Sequence, residues 1–71
     1  MGKFLDTLTR PSSTYAVERT AEGFVLVAGA DHRLEFSALI RGLLDEPSDE
    51  FVILPVSDGG MGYERAVILP Y

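Results

Sequence analysis

Apolar and polar residues alternate along parts of this chain and recur at helical spacing along others. Tyr15, Val17 and Arg19 point one way, and Ala16, Glu18 and Thr20 the other. That alternation predicts a half-buried strand over 15–20. Ala21-Glu22-Gly23 predicts a three-residue hairpin loop with Gly23 in the left-handed region. Phe24-Val25-Leu26-Val27-Ala28 returns as a strand that is apolar on both faces, which places it centrally in a sheet. The motif Val-Ile-Leu-Pro occurs at 52–55 and again at 67–70, with the glycine-rich stretch 57–62 between them. These runs predict a second hairpin, with Val52 opposite Val67 and Val56 opposite Tyr63. Pro55 and Pro70 cannot donate to a ladder, so they belong at an edge or a strand end.

Between the hairpins, Phe36, Leu39, Ile40, Leu43 and Leu44 recur at i, i+3, i+4, i+7 and i+8. That is the apolar stripe of an amphipathic helix, placed over about 37–45. Arg33-Leu34-Glu35-Phe36 alternates, and reads either as a short third strand or as the first turn of that helix. Gly42 inside the helix costs ~1 kcal/mol relative to alanine, and close packing of the helix backbone on the sheet is the expected cause. Phe4, Leu5 and Leu8 mark one face of a short helix over 2–9 that ends before Pro11. So short a helix needs docking to be stable, so residues 1–14 form either a cap on the core or an arm that orders on a partner.

The pattern therefore defines one α+β domain over 1–71, with an antiparallel sheet of about four strands in two hairpins. One main amphipathic helix crosses a face, and a short helix precedes it. A single helix covers one face of a small sheet. In the last strand Tyr63, Arg65, Val67, Leu69 and Tyr71 share one face, and Glu64, Ala66, Ile68 and Pro70 the other. Both faces of the second hairpin are thus apolar, and the second face needs a cover. The N-terminal helix is one candidate cover; a partner or a second copy of the chain is the other.

Composition narrows the chemistry. The chain has 71 residues and 46% hydrophobic content, near the lower limit for a domain that folds without staples. With no cysteine and one histidine, it offers no disulfide framework, no thiolate metal site and no multi-histidine centre. Eleven acids against six bases give a formal charge of −5, which argues against direct binding to nucleic acid or to an anionic membrane. Five of the six bases are arginine, a residue common at protein interfaces. No apolar run reaches the ~20 residues of a membrane span. The N-terminal residues lack the long apolar region of a signal peptide, so the expected compartment is the cytoplasm.

Candidate catalytic groups are few. Asp31-His32 is the one acid–histidine neighbour pair, and Ser12, Ser13, Ser37 or Ser57 would have to supply a nucleophile by folding. None sits in a nucleophile-elbow pattern, and a turn histidine is usually just solvated. Asp58-Gly59-Gly60-Met61-Gly62 is glycine-rich, but a strand follows it and no lysine does, so it reads as a hairpin loop and not a phosphate cradle. Asp45, Glu46, Asp49 and Glu50 cluster without the alternating ligand spacing of a calcium loop. Asp45 and Glu46 also sit at a helix C-terminus, where the dipole prefers cations.

The expectation is a non-enzymatic, cytoplasmic protein-binding module without cofactor or metal. Its class-level analogue is the small acidic inhibitor of phages or mobile elements, which blocks a bacterial defence complex in the manner of an anti-CRISPR protein. It would cover a basic nucleic-acid-binding surface through Asp45, Glu46, Asp49, Glu50, Asp58 and Glu64, with Met61, Tyr63 and Tyr71 as anchors. The alternative is a structural or assembly subunit that homodimerises through its sheet. A small enzyme built on Asp31-His32 is the third reading.

Overall fold

The computed structural model describes residues 3–60 and 62–71. Its elements in chain order are α1 (Lys3–Leu8), β1 (Tyr15–Arg19), β2 (Phe24–Ala28), α2 (Arg33–Asp45), β3 (Phe51–Ser57) and β4 (Tyr63–Pro70). The strands form one antiparallel sheet in the order β1-β2-β4-β3. β2 and β3 both run antiparallel to β4, so they are parallel to each other with β4 between them. Parallel strands need a crossover connection, and α2 supplies it. The α+β architecture, the interior place of the doubly apolar β2 and the edge place of Pro55-bearing β3 are as the sequence pattern predicts.

The core lies between the sheet and the helices. Phe36, Ile40 and Leu43 of α2 are buried against Leu26, Phe51, Ala66 and Ile68. Residues 33–36 are the first turn of α2, not a strand. Alternation over four residues is too short to separate the two, and Phe36 in that turn is fully buried at the centre of the core. Ser37 is also buried: its hydroxyl oxygen accepts the Tyr63 N–H at 2.8 Å and so ties α2 to β4. Leaving that amide unpaired would cost roughly 1–3 kcal/mol.

α1 docks beside α2 on the same face. Leu8 is buried in the shared core, Leu5 packs against it, and the Phe4 and Phe51 rings lie 5.9 Å apart. The Tyr15 hydroxyl donates to the Leu8 carbonyl at 2.6 Å, and the Leu5 N–H donates to the Glu50 carboxylate at 2.9 Å. Burial pushes the Tyr15 phenol above its usual range. The N-terminal helix therefore does not cover the second face of the sheet.

That face is aliphatic and open. Reading across the strands β1-β2-β4-β3, one row is Ala16, Val27, Arg65 and Val56, and the next is Glu18, Val25, Val67 and Leu54. Leu69 and Val52 form a third, shorter row. Val52, Leu54 and Val56 remain 37%, 48% and 38% exposed, although all three are large hydrophobics in a strand.

The β3–β4 register is offset from the predicted one by two residues: Val52 pairs with Leu69, Leu54 with Val67 and Val56 with Arg65. A shift of two preserves the faces, so the repeated motif alone could not fix it. A bulge follows, because Ser57 pairs with Tyr63 and Glu64 has no opposite residue. The extra residue turns Tyr63 to the core side, where it packs against the buried cluster. It does not share a face with Arg65, as strict alternation would have it.

Two glycines also depart from expectation. Gly23 is not left-handed; the positive φ is at Gly59, at 90°. A Cβ on Gly23 would fall onto the Ile68 carbonyl oxygen and lie 2.7 Å from the Pro70 ring, so close approach to β4 is what requires glycine. A Cβ on Gly42 would meet nothing within 4 Å and would face solvent, so the expected tight packing is absent there. Gly42→Ala should therefore stabilise the chain by about 1 kcal/mol, and Gly23→Ala should destabilise it by about 1–3 kcal/mol. Urea unfolding of the two variants checks both signs.

Candidate functional site

The candidate binding residues fall at the two ends of the β3–β4 hairpin. At one end, Asp45 closes α2, Glu46 caps it through an N–H bond to the Gly42 carbonyl at 3.2 Å, and Asp49 follows Pro47 and Ser48. All three acids are exposed. No cation closes the last turn of α2, so its carbonyl ends and these carboxylates add to one negative region. Glu50 plays another part: its carboxylate accepts the Leu5 N–H and its carbonyl accepts the Tyr71 N–H at 3.0 Å. It is a strut between α1 and the end of β4.

Beside these acids lies an apolar groove of about 240 Å³, lined by Leu43, Leu44, Pro47, Phe51, Val52 and Tyr71. Tyr71 is 81% exposed, a large aromatic held at its backbone and free at its ring. Sequence reasoning named Tyr71 and the acids but missed the groove. Its walls come from the helix end, the loop and the β3 edge, which only the fold brings together.

At the other end sit Asp58, Tyr63 and Glu64. A seven-residue β3 separates the ends by roughly 23 Å, so the predicted residues do not form one patch. The Asp58 carboxylate accepts the Gly60 N–H at 2.9 Å and pairs with the Arg33 guanidinium at 3.0 Å. The Gly60 amide first, and then Arg33, hold the Asp58 carboxyl below its usual 3.8. This carboxylate closes the loop onto the start of α2. Tyr63 is committed to the core, and Glu64 is the half-buried bulge residue. Met61 lies outside the described residues.

The His32 ring is engaged by Glu35 and not by Asp31. His32 Nδ1 lies 3.0 Å from Glu35 Oε1, one helical turn on, and Asp31 is exposed. Among the described residues no serine hydroxyl hydrogen-bonds the imidazole: Ser12 accepts from Thr14 and Tyr15, Ser57 from Gly59, and Ser37 from Tyr63. Among the described residues no three His, Asp or Glu side chains gather as metal ligands. No described helix is long and apolar enough to cross a membrane.

No family model, no curated protein and no solved structure matches this chain.

The Asp58 geometry carries a pH dependence. A folded-state pKa held below the unfolded value contributes stability that is fully present above the unfolded pKa and lost as pH falls through the folded one. Asp58→Asn should therefore flatten the acid limb of a stability profile below pH 3.8. Urea midpoints at a series of pH values measure this; parallel profiles for the two proteins would show that the loop contacts add nothing.

Proposed function

We propose that this chain is a non-enzymatic protein-binding module that presents an acidic, tyrosine-bearing end to a basic partner. The observation that supports the reading is the adjacency of Asp45, Glu46 and Asp49 to an apolar groove with Tyr71 at its rim. Interfaces of this kind anchor through a buried aromatic and gain speed and selectivity from surrounding charge. All three acids stand exposed, and Asp45 and Glu46 do so at a helix end where local electrostatics disfavours them, which suits a role outside the fold.

The partner class follows from charge. A chain at −5 attracts proteins whose surfaces are cationic, and nucleic-acid-binding channels are one such surface. The proposed action is competitive cover of such a channel in the cytoplasm, of the sort used by small phage or mobile-element inhibitors of bacterial defence complexes. This reading narrows the predicted contact set to Asp45, Glu46, Asp49 and Tyr71. Asp58, Glu50 and Tyr63 hold the fold together instead.

The test is affinity capture from a bacterial lysate at low salt, followed by elution with nucleic acid and with salt. A basic nucleic-acid-binding protein should be retained and then released by either competitor. The triple variant Asp45→Asn, Glu46→Gln, Asp49→Asn should weaken the captured complex by more than about tenfold, and Tyr71→Ala should raise its off-rate. Retention that withstands ~1 M salt, where the screening length is about 3 Å, and survives the triple variant would overturn the reading.

A further inference from the structure

We propose that the open face of the sheet is the interface of a two-fold symmetric dimer with a second copy of this chain. Among its register-paired residues the face is aliphatic except for Glu18 on β1 and Arg65 on β4. One acid and one base make these paired residues neutral in sum, whereas the whole chain carries −5. A basic partner gains nothing from a neutral face, and a copy of the chain is not repelled by it. The acidic end described above lies at the C-terminus of α2, a helix that covers the opposite face of the sheet.

The two charges also specify how the copies would meet. Glu18 and Arg65 stand two strands and one row apart, about 12 Å between Cα atoms, and do not pair within one chain. Among the described residues neither side chain has an ion-pair or hydrogen-bond partner. A two-fold axis lying between the stacked faces, through the midpoint of the two residues, exchanges their positions. Glu18 then meets the partner's Arg65 while Arg65 meets the partner's Glu18, as an isologous interface requires. Both charges sit among aliphatic side chains that would exclude water, where each pair counts for more than on an open surface.

The size of the face sets the strength. Four strands and about five residues cover roughly 19 by 17 Å, so two copies would bury under about 1,000 Å² of surface. That is the range of reversible association, not of an obligate dimer.

Sedimentation equilibrium from about 10 μM to about 1 mM tests the proposal, spanning association free energies of roughly 4–7 kcal/mol. The wild-type mass should rise toward twice the chain mass. Leu54→Lys, at a site already 48% exposed, should stay monomeric with an unchanged urea midpoint. Arg65→Glu and Glu18→Arg should each weaken the dimer at least tenfold, and the double reversal should restore it. A wild type that stays monomeric throughout overturns the proposal. So does a dimer indifferent to Leu54→Lys, which would use another surface such as the β3 edge. A double reversal as weak as the single variants overturns the two-fold geometry. The neutralised Asp45, Glu46 and Asp49 variant should dimerise as the wild type does, so failure of the partner reading and failure of the dimer are distinguishable.

Discussion

Phe36, Ile40 and Leu43 press against Leu26, Ala66 and Ile68, and the place of every other element follows from that contact. Among the described residues there is one long helix, and that helix is the crossover from β2 to β3. Because it must pass over the sheet to make the connection, it covers the face it crosses. Ser37 fixes its height by accepting the Tyr63 amide, and α1 fills the space that remains on the same side. Nothing is left in the described chain to cover the other face. Yet β2, β3 and β4 carry Val, Leu and Ile at positions on both faces. A two-layer domain of this length can dry only one of them.

The acids divide by the same geometry. Several are engaged in contacts within the fold. Asp58 reaches Arg33 and closes the β3–β4 loop onto α2, Glu35 meets His32 at the first turn, and Glu50 ties α1 to the last strand. These use carboxylates as hydrogen-bond acceptors at points where backbone amides or cations are already fixed. Asp45, Glu46 and Asp49 do not. They stand in solvent beside an apolar groove, and at Asp45 and Glu46 local helix electrostatics works against them. Net charge alone could not separate the two groups, because both contribute equally to it.

Much of the fold was legible because periodicity records burial. The stripe from Phe36 to Leu44 located α2, and the doubly apolar run 24–28 identified an interior strand. What the pattern could not carry was anything set by contacts distant in sequence. The register of the repeated motif slid by two residues without changing a face, and the bulge at Glu64 then reversed the side of Tyr63. Gly23 looked like a turn glycine, but its requirement comes from Ile68, far along the chain. Gly42 looked like a packing glycine and touches nothing. The acidic end was half legible: its residues were named, but Asp58, Tyr63 and Glu64 went with the far end of the hairpin. The groove that gives the acids a context was invisible until the β3 edge met the helix end.

The two surfaces abut at Val52. That residue lines the groove beside Tyr71 and also ends the third row of the open sheet face. A dimer formed through that face would leave both acidic ends uncovered on one particle, so a partner with two basic sites would meet the second at high effective concentration. Val52 would link the two proposed events thermodynamically. Whatever a partner does to the packing around this side chain must be returned, with the same factor, as an effect of dimerisation on partner affinity. The sign depends on whether the partner's edge rests against the second copy or collides with it. Val52, at an exposed strand edge, still has a third of its surface, 37%, to lose, and both proposed contacts would draw on that same surface.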